Sequence, residues 1–226
     1  MSTKIIAIDG FASTGKSTLS KRLAQHLSFT YMDTGYMFRV VALEVLKNKW
    51  LEAGVLNDTA LASFLPELNF HWVDQEDGLK AMGVNGVVYG EEIRAQEVSA
   101  LVSQVAANAA VRQHLLEQQR SLAKSANVVM DGRDIGTVVF PQADLKFYLI
   151  AQAEIRAQRR FDEMQAKGLT ADFDAILANV LERDHLDSTR EIAPLKKADD
   201  AIEIDTSHYT VEEVFALLCQ QLPTDF

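Results

Sequence analysis

Gly10, Gly15, Lys16 and Ser17 stand at the fixed positions of the pattern G-x-x-x-x-G-K-[ST], with Phe11, Ala12, Ser13 and Thr14 between them and Thr18 beyond. The chemistry of that spacing is phosphate binding. A glycine-rich loop opening a helix turns backbone N–H groups and the positive end of the helix dipole toward one concavity. Lys16 can then reach a β- or γ-phosphate, and the Ser17 hydroxyl can hold Mg²⁺. A glycine turn that merely caps a helix would need neither Lys16 nor the full spacing. The context is the required one: an apolar run precedes the loop, and Leu19, Leu23, Ala24 and Leu27 follow at helical spacing.

Arginines form the second chemical signal. Arg156, Arg159 and Arg160 fall at i, i+3 and i+4, on one helical face. Arg183, Asp187 and Arg190 fall at i, i+4 and i+7, again one face if the helix runs that far. Clustered cations repel unless a polyphosphate joins them; the plainer alternative is a solvated face paired to Glu163 or Asp187, worth a few tenths of a kcal/mol. Arg133, two residues after Asp131, points out of a strand end toward the same place. No H-E-x-x-H, no clustered Cys/His, no G-x-S-x-G and no N-K-x-D is present, and the five histidines are scattered singly. These residues handle phosphate and offer no protein nucleophile.

The elements that must carry these groups alternate. Five short apolar segments read as buried strands, at 5–9, 29–33, 128–131, 145–150 and 201–205, most followed by a helical pattern. That rhythm predicts an α/β fold, a parallel five-stranded sheet with helices on both faces, binding at the carboxyl ends of its strands. Asp9, Asp33 and Asp131 belong at those ends. Between the second and third strands, Leu68, Phe70 and Trp72 alternate, and the runs 79–84 and 87–89 flank Asn85-Gly86. An Asn-Gly pair between apolar runs predicts a hairpin, so residues 66–92 are expected to hold a small antiparallel insertion, either decoration or a mobile flap.

Composition sets the outer bounds. The 226 residues suit a single domain with a small insertion. One cysteine, Cys219, excludes an internal disulfide framework and fits a reducing compartment. The apolar N-terminal run is too short for a signal peptide, and no run approaches the roughly 20 apolar residues of a membrane span. We expect a cytoplasmic protein off the membrane, and a monomer, since no long apolar stripe marks an interface. The net charge of −10 opposes binding to a nucleic-acid polymer, but a local arginine cluster can still attract a small anion.

Taken together, the phosphate loop, Asp33-Thr34-Gly35 with Arg39, Glu92-Ile93-Arg94 with Glu97-Val98, the block from Asp131 to Pro141 reading DGRDIGTVVFP, and Glu182-Arg183-Asp184 leading to Arg190 and Ala193-Pro194-Leu195 strongly resemble bacterial cytidylate kinases. The similarity spans nearly the whole chain, and the DGRDIGTVVFP block is far more specific than the loop. The resemblance implies a P-loop core in which ATP, with Mg²⁺, donates its γ-phosphoryl to CMP or dCMP. It implies an inserted monophosphate-binding part at about 36–108 with a small antiparallel sheet, and a short lid at about 155–172. It implies that residues 10–18 hold the donor phosphates, that Arg39 and Arg133 grip the acceptor phosphate, and that Thr34, Arg112, Asp134 and Arg190 surround the cytosine. Ser103, Arg183 and Asp187 would meet the sugar, and Arg156, Arg159 and Arg160 fall in the lid, with Lys16, Arg133 and Arg159 as the catalytic cations. Phe11 replaces the usual proline, Ser13 a common glycine and Thr34 a commoner serine; none removes a phosphate-binding group.

The chemistry is coherent without the resemblance. A phosphate monoester has its second pKa near 6, so the attacking oxygen is already ionised at neutral pH and needs no general base. What it needs is in-line positioning and cations to offset anion repulsion. A kinase for a small-molecule hydroxyl would instead place a carboxylate such as Asp131 or Asp33 on the alcohol. A nucleotide-responsive module without catalysis would have little use for Lys16, Ser17 and Asp131 together.

Overall fold

The structure is a computed structural model that describes residues 3–76, 80–224 and 226. Five strands make the central sheet: β1 (Ile5–Gly10), β2 (Thr30–Asp33), β7 (Val128–Gly132), β8 (Leu145–Ile150) and β9 (Ile202–Asp205). Their order is β2-β7-β1-β8-β9 and every pairing is parallel. The expected strands thus all form, with the second and fifth starting one residue later than expected. Because the chain leaves β1 for one side of the sheet and later returns to the other, a crevice opens at the carboxyl ends of β1 and β7.

Alternation within each strand feeds two cores. Ile6 and Ile8 of β1 with Val129 of β7 pack against Leu19 and Leu23 of α1 (Lys16–Leu27) and Val214 and Leu218 of α8 (Val211–Gln220). Ala7, Val128 and Met130 face the other side, beneath α2 (Thr34–Lys47), α4 (Gln96–Ala107) and α5 (Ala109–Ala123). This is the period-two burial of a sheet covered on both faces. Each fully buried leucine or isoleucine contributes roughly 1.5–3 kcal/mol. A third, separate cluster, Ala157, Ile176 and Val180, joins α6 (Ala153–Ala166) to α7 (Phe173–Thr189).

Between α2 and α4 lie two small antiparallel pairs. Leu51–Glu52 (β3) pairs with Val55–Leu56 (β4), which the sequence did not announce, and α3 (Asp58–Phe64) follows. Phe70–Asp74 (β5) pairs with Lys80–Val84 (β6). The antiparallel insertion therefore exists, but its paired strands are β5 and β6, not the two runs that flank Asn85-Gly86. Asn85-Gly86 does make a tight reversal, with φ of 50° and 82° and the Val84 amide bonded to the Val87 carbonyl 2.8 Å away. Beyond it Val87 forms only one isolated bridge, and no strand runs through 87–89. Val87 and Val88 are exposed, so no apolar burial rewards a longer ladder there. Leu79, the first residue of the expected strand 79–84, lies outside the described residues.

Candidate active site

The loop after β1 is built by glycine where nothing else fits. A Cβ on Gly10 would come within 2.1 Å of the Leu149 carbonyl oxygen, and the residue's φ is +149°. Gly15 takes φ +87° at the N-cap of α1, where no side chain caps the helix. The first amides of α1 are therefore left for an anion. Ser13 holds φ +60°, a left-handed position that costs a non-glycine residue about 1 kcal/mol. Lys16 is buried, and its ammonium donates to the Phe11 carbonyl and, at 3.5 Å, to Thr14 Oγ1. Burial and Arg133 push its pKa down.

Beside Lys16 lies a group that motif reading did not assign. Asp131 is the penultimate residue of β7, and its Oδ2 accepts from Ser17 Oγ at 2.8 Å while its Oδ1 accepts from the Tyr31 hydroxyl at 2.9 Å. Burial, then the charge of Asp33, push its carboxyl up to about 7. A hydroxyl and a carboxylate side by side at a phosphate loop are the hard oxygen donors that Mg²⁺ takes along with phosphate and water. Among the described residues no cluster of three or more His, Cys, Asp or Glu side chains offers an all-protein metal cage.

A cavity of about 970 Å³ opens at this sheet end, between core, insertion and the α6–α7 pair. Ala12, Ser13, Gly15, Lys16, Ser17 and Thr18 line one part; Thr34, Arg39, Ser103, Arg112, Arg133, Asp134, Arg183, Asp187 and Arg190 line the rest, with Arg160 of α6. Nine cationic lining side chains face six acidic ones, so the cavity's charge has the opposite sign to the chain's net charge of −10. Desolvation focuses such a field.

Individual groups are held by partners. The Arg133 Nε donates to Asp187 Oδ2 at 2.8 Å. Burial alone would raise Asp187, but Arg133, Arg183 and Arg190 hold it below the usual carboxylate range. Burial and Arg133 push Arg183 down to about 10, and burial with Arg112 does the same to Arg190. Arg112 is ion-paired to Asp134, whose other oxygen lies 3.5 Å from Arg190. Arg39 donates to the Ile93 carbonyl at 3.2 Å and to Ser99 Oγ at 2.9 Å. Thr34 Oγ1 donates to the Asp131 carbonyl at 2.8 Å, leaving its oxygen free to accept.

The three arginines of α6 do not act as one face. Arg156 is buried: it bonds Asp184 at 2.9 Å and the Ala12 carbonyl at 3.3 Å, and lies over the Phe11 ring at 5.2 Å. Arg159 also lies outside the cavity lining and donates to Thr206 Oγ1 at 3.1 Å; that hydroxyl in turn donates to the Thr14 carbonyl. Only Arg160 lines the cavity, donating to Asn179 Oδ1 at 2.7 Å. Neighbouring helical positions differ by about 100°, so Arg159 and Arg160 diverge. The second set holds better, although α7 ends at Thr189 and Arg190 follows as its cap, folded onto the Ala193 carbonyl at 2.7 Å. Neither plain pairing forms: Glu163 pairs with Lys167, and Asp187 pairs with Arg133 across elements. Ser99, Asn179 and Thr206 escaped the residue reading because each acts through a fold contact and none through a spacing; Arg94, named only within a motif, also lines the cavity.

The comparisons agree with this geometry. A family model described as Cytidylate kinase matches residues 6–224. A cytidylate kinase of Flavobacterium johnsoniae is 50% identical over 216 residues, covering 95% of this chain and 94% of its own. One from Flavobacterium psychrophilum is 47% identical over 214 residues, with 94% and 95% covered. One from Bacteroides fragilis is 46% identical over 209 residues, with 92% and 91% covered.

Proposed function

From a chain that belongs to the cytidylate kinase family, we infer an enzyme that transfers the γ-phosphoryl group of ATP to CMP or dCMP in pyrimidine nucleotide metabolism. The observation that carries this reading is one cavity lined both by the phosphate loop with Lys16 and by Arg133, Asp134 and Asp187. Donor and acceptor anions can then meet without crossing protein.

The donor phosphates lie in residues 10–18, against the α1 amides, with Lys16 turning from Phe11 to the γ-phosphoryl. Arg39 and Arg133 grip the acceptor phosphate, and its ionised oxygen attacks in line, so no residue has to remove a proton. Asp134, with Arg112, Arg190 and Thr34, faces the base; Ser103, Arg183 and Asp187 face the sugar. Ser17 and Asp131 would hold Mg²⁺, which when bound offsets charge on the donor phosphates. Arg160, joined by Arg159 once it leaves Thr206, supplies lid cations; Arg156 braces the loop from behind. The inserted part at about 36–108 carries the acceptor side, and α6, the loop and the start of α7, at about 155–172, form the lid.

No helix among the described residues is long and apolar enough to cross a membrane; we take the enzyme to be a cytoplasmic monomer acting on free nucleotides. The test is a coupled ADP-release assay with ATP, Mg²⁺ and a panel of acceptors: CMP, dCMP, UMP, AMP and shikimate-like alcohols. CMP and dCMP are expected to turn over fastest. Release of ADP only with an alcohol acceptor would replace this reading by a hydroxyl kinase, and no release with any acceptor would leave a binding module.

A further inference from the structure

We propose that Asp9 is a positioning residue for acceptor recognition, its buried carboxylate fixing the segment that carries Arg133 and Asp134. Asp9 is the penultimate residue of the central strand β1, is 4% exposed and does not line the cavity. It therefore acts on the reaction through the amides it holds and through its charge near Lys16 and Arg133, not by contact with a nucleotide. Its Oδ1 accepts from the Ile135 amide at 2.9 Å and its Oδ2 from the Gly136 amide at 2.7 Å.

Those two amides open a single wide helical turn, Ile135–Val139, in which the Phe140 amide reaches back to the Ile135 carbonyl at 2.7 Å and the Val139 amide to Asp134 at 3.1 Å. The first N–H groups of such a turn have no partner within it. An aspartate at the N-cap normally takes them with its own side chain. Asp134 stands at that N-cap and makes no capping bond, because its carboxylate is turned to Arg112 and Arg190. Asp9 supplies the missing cap from the neighbouring strand, which leaves Asp134 free to face the cavity. Gly136 is closely packed beside this contact: a Cβ there would sit 3.0 Å from the Lys146 side chain, while its 3.5 Å to Asp9 Oδ2 is ordinary van der Waals contact. Charge-assisted bonds to two successive amides fix the backbone from which Arg133 and Asp134 project.

The proposal rests on the reading that Asp134 meets the base and Arg133 the acceptor phosphate. Its test compares wild type with Asp9→Asn, which keeps one acceptor and turns a donor toward the second amide. We expect the KM for CMP to rise and the ratio of kcat/KM for CMP over UMP to fall, each by about tenfold, with the KM for ATP within about twofold of wild type. A merely structural Asp9 would reduce folded protein and lower kcat equally for both acceptors, leaving the ratio at its wild-type value. That result overturns the proposal. A second measurement needs no variant: hydrogen exchange on the unmutated enzyme without nucleotide. Slow exchange at the Ile135 and Gly136 amides is expected, and exchange at the rate of exposed amides also overturns it. Wild-type protein that phosphorylates neither acceptor would instead remove the function on which the proposal stands.

Discussion

On the proposed reading, the carboxylate of Asp134 is what selects the base. Arg112 and Arg190 hold it from two sides in a buried setting, and it presents an acceptor where cytosine has its N4–H₂ donor and uracil an acceptor. Asp134→Asn keeps the shape and turns a donor toward that position, so CMP-over-UMP preference should fall at least tenfold while the KM for ATP holds; parallel kinetics on both acceptors check it. Arg133→Ala should lower kcat by about 10² or more, as loss of a charge needed at transfer does, and a change in KM alone would make it a binding group only. Asp131 carries a stability consequence. Its carboxyl is pushed up to about 7 from an ordinary 3.8, by burial and Asp33. Between those values the folded state binds more protons than the unfolded one, so stability falls as pH rises through that window. Asp131→Asn should therefore melt higher than wild type at pH 8 in metal-free buffer. The gain should shrink toward pH 5 and coincide with loss of turnover. An equal or lower melting temperature at pH 8 would count against that burial cost.

At the scale of elements, Arg156 ties three of them together. From α6 it reaches Asp184 on α7 and the Ala12 carbonyl of the phosphate loop, and it covers the Phe11 ring. Asp184 lies beside Arg183 and three residues before Asp187, so the pair joins the phosphate loop to the helix that carries Arg183 and Asp187. A lysine cannot make the bidentate contact or the ring stack. Arg156→Lys should raise the KM for ATP several-fold, by steady-state kinetics, and the KM for CMP by less. This network marks where sequence reading stops. The phosphate loop, the five strands and the DGRD block were legible because each rests on local spacing. Arg156 looked like a nucleotide ligand because helical spacing gives its face but not what lies opposite. Asn85-Gly86 signalled a turn correctly, yet strand pairing beyond it needs burial that Val87 and Val88 do not obtain. Asp9 capping a turn 126 residues away leaves no trace in its neighbours along the chain.

For the whole molecule the governing fact is an excess of cations gathered at one sheet end of an acidic protein. Arg39 comes from α2, Arg133 follows β7, Arg160 comes from α6 and Arg183 from α7, so their mutual repulsion acts between separate parts of the fold. The α6–α7 pair has its own small core, and Arg156, Arg159 and the Arg133–Asp187 ion pair join it to the rest. Its connecting loop brings Leu169 to the cavity with 54% of its surface exposed, an apolar side chain with area still to bury. Anions placed between these arginines remove the repulsion, and closure over them buries Leu169 and excludes the water that would otherwise hydrolyse ATP. A cytidine–adenosine bisubstrate analogue should therefore compact the protein, giving a smaller radius of gyration in small-angle scattering than the nucleotide-free enzyme. Leu169→Asn should weaken that analogue's binding while leaving the free protein's profile unchanged. Identical profiles with and without the analogue would mean that the arginines are already as close as transfer requires, and that the α6–α7 pair is a fixed wall.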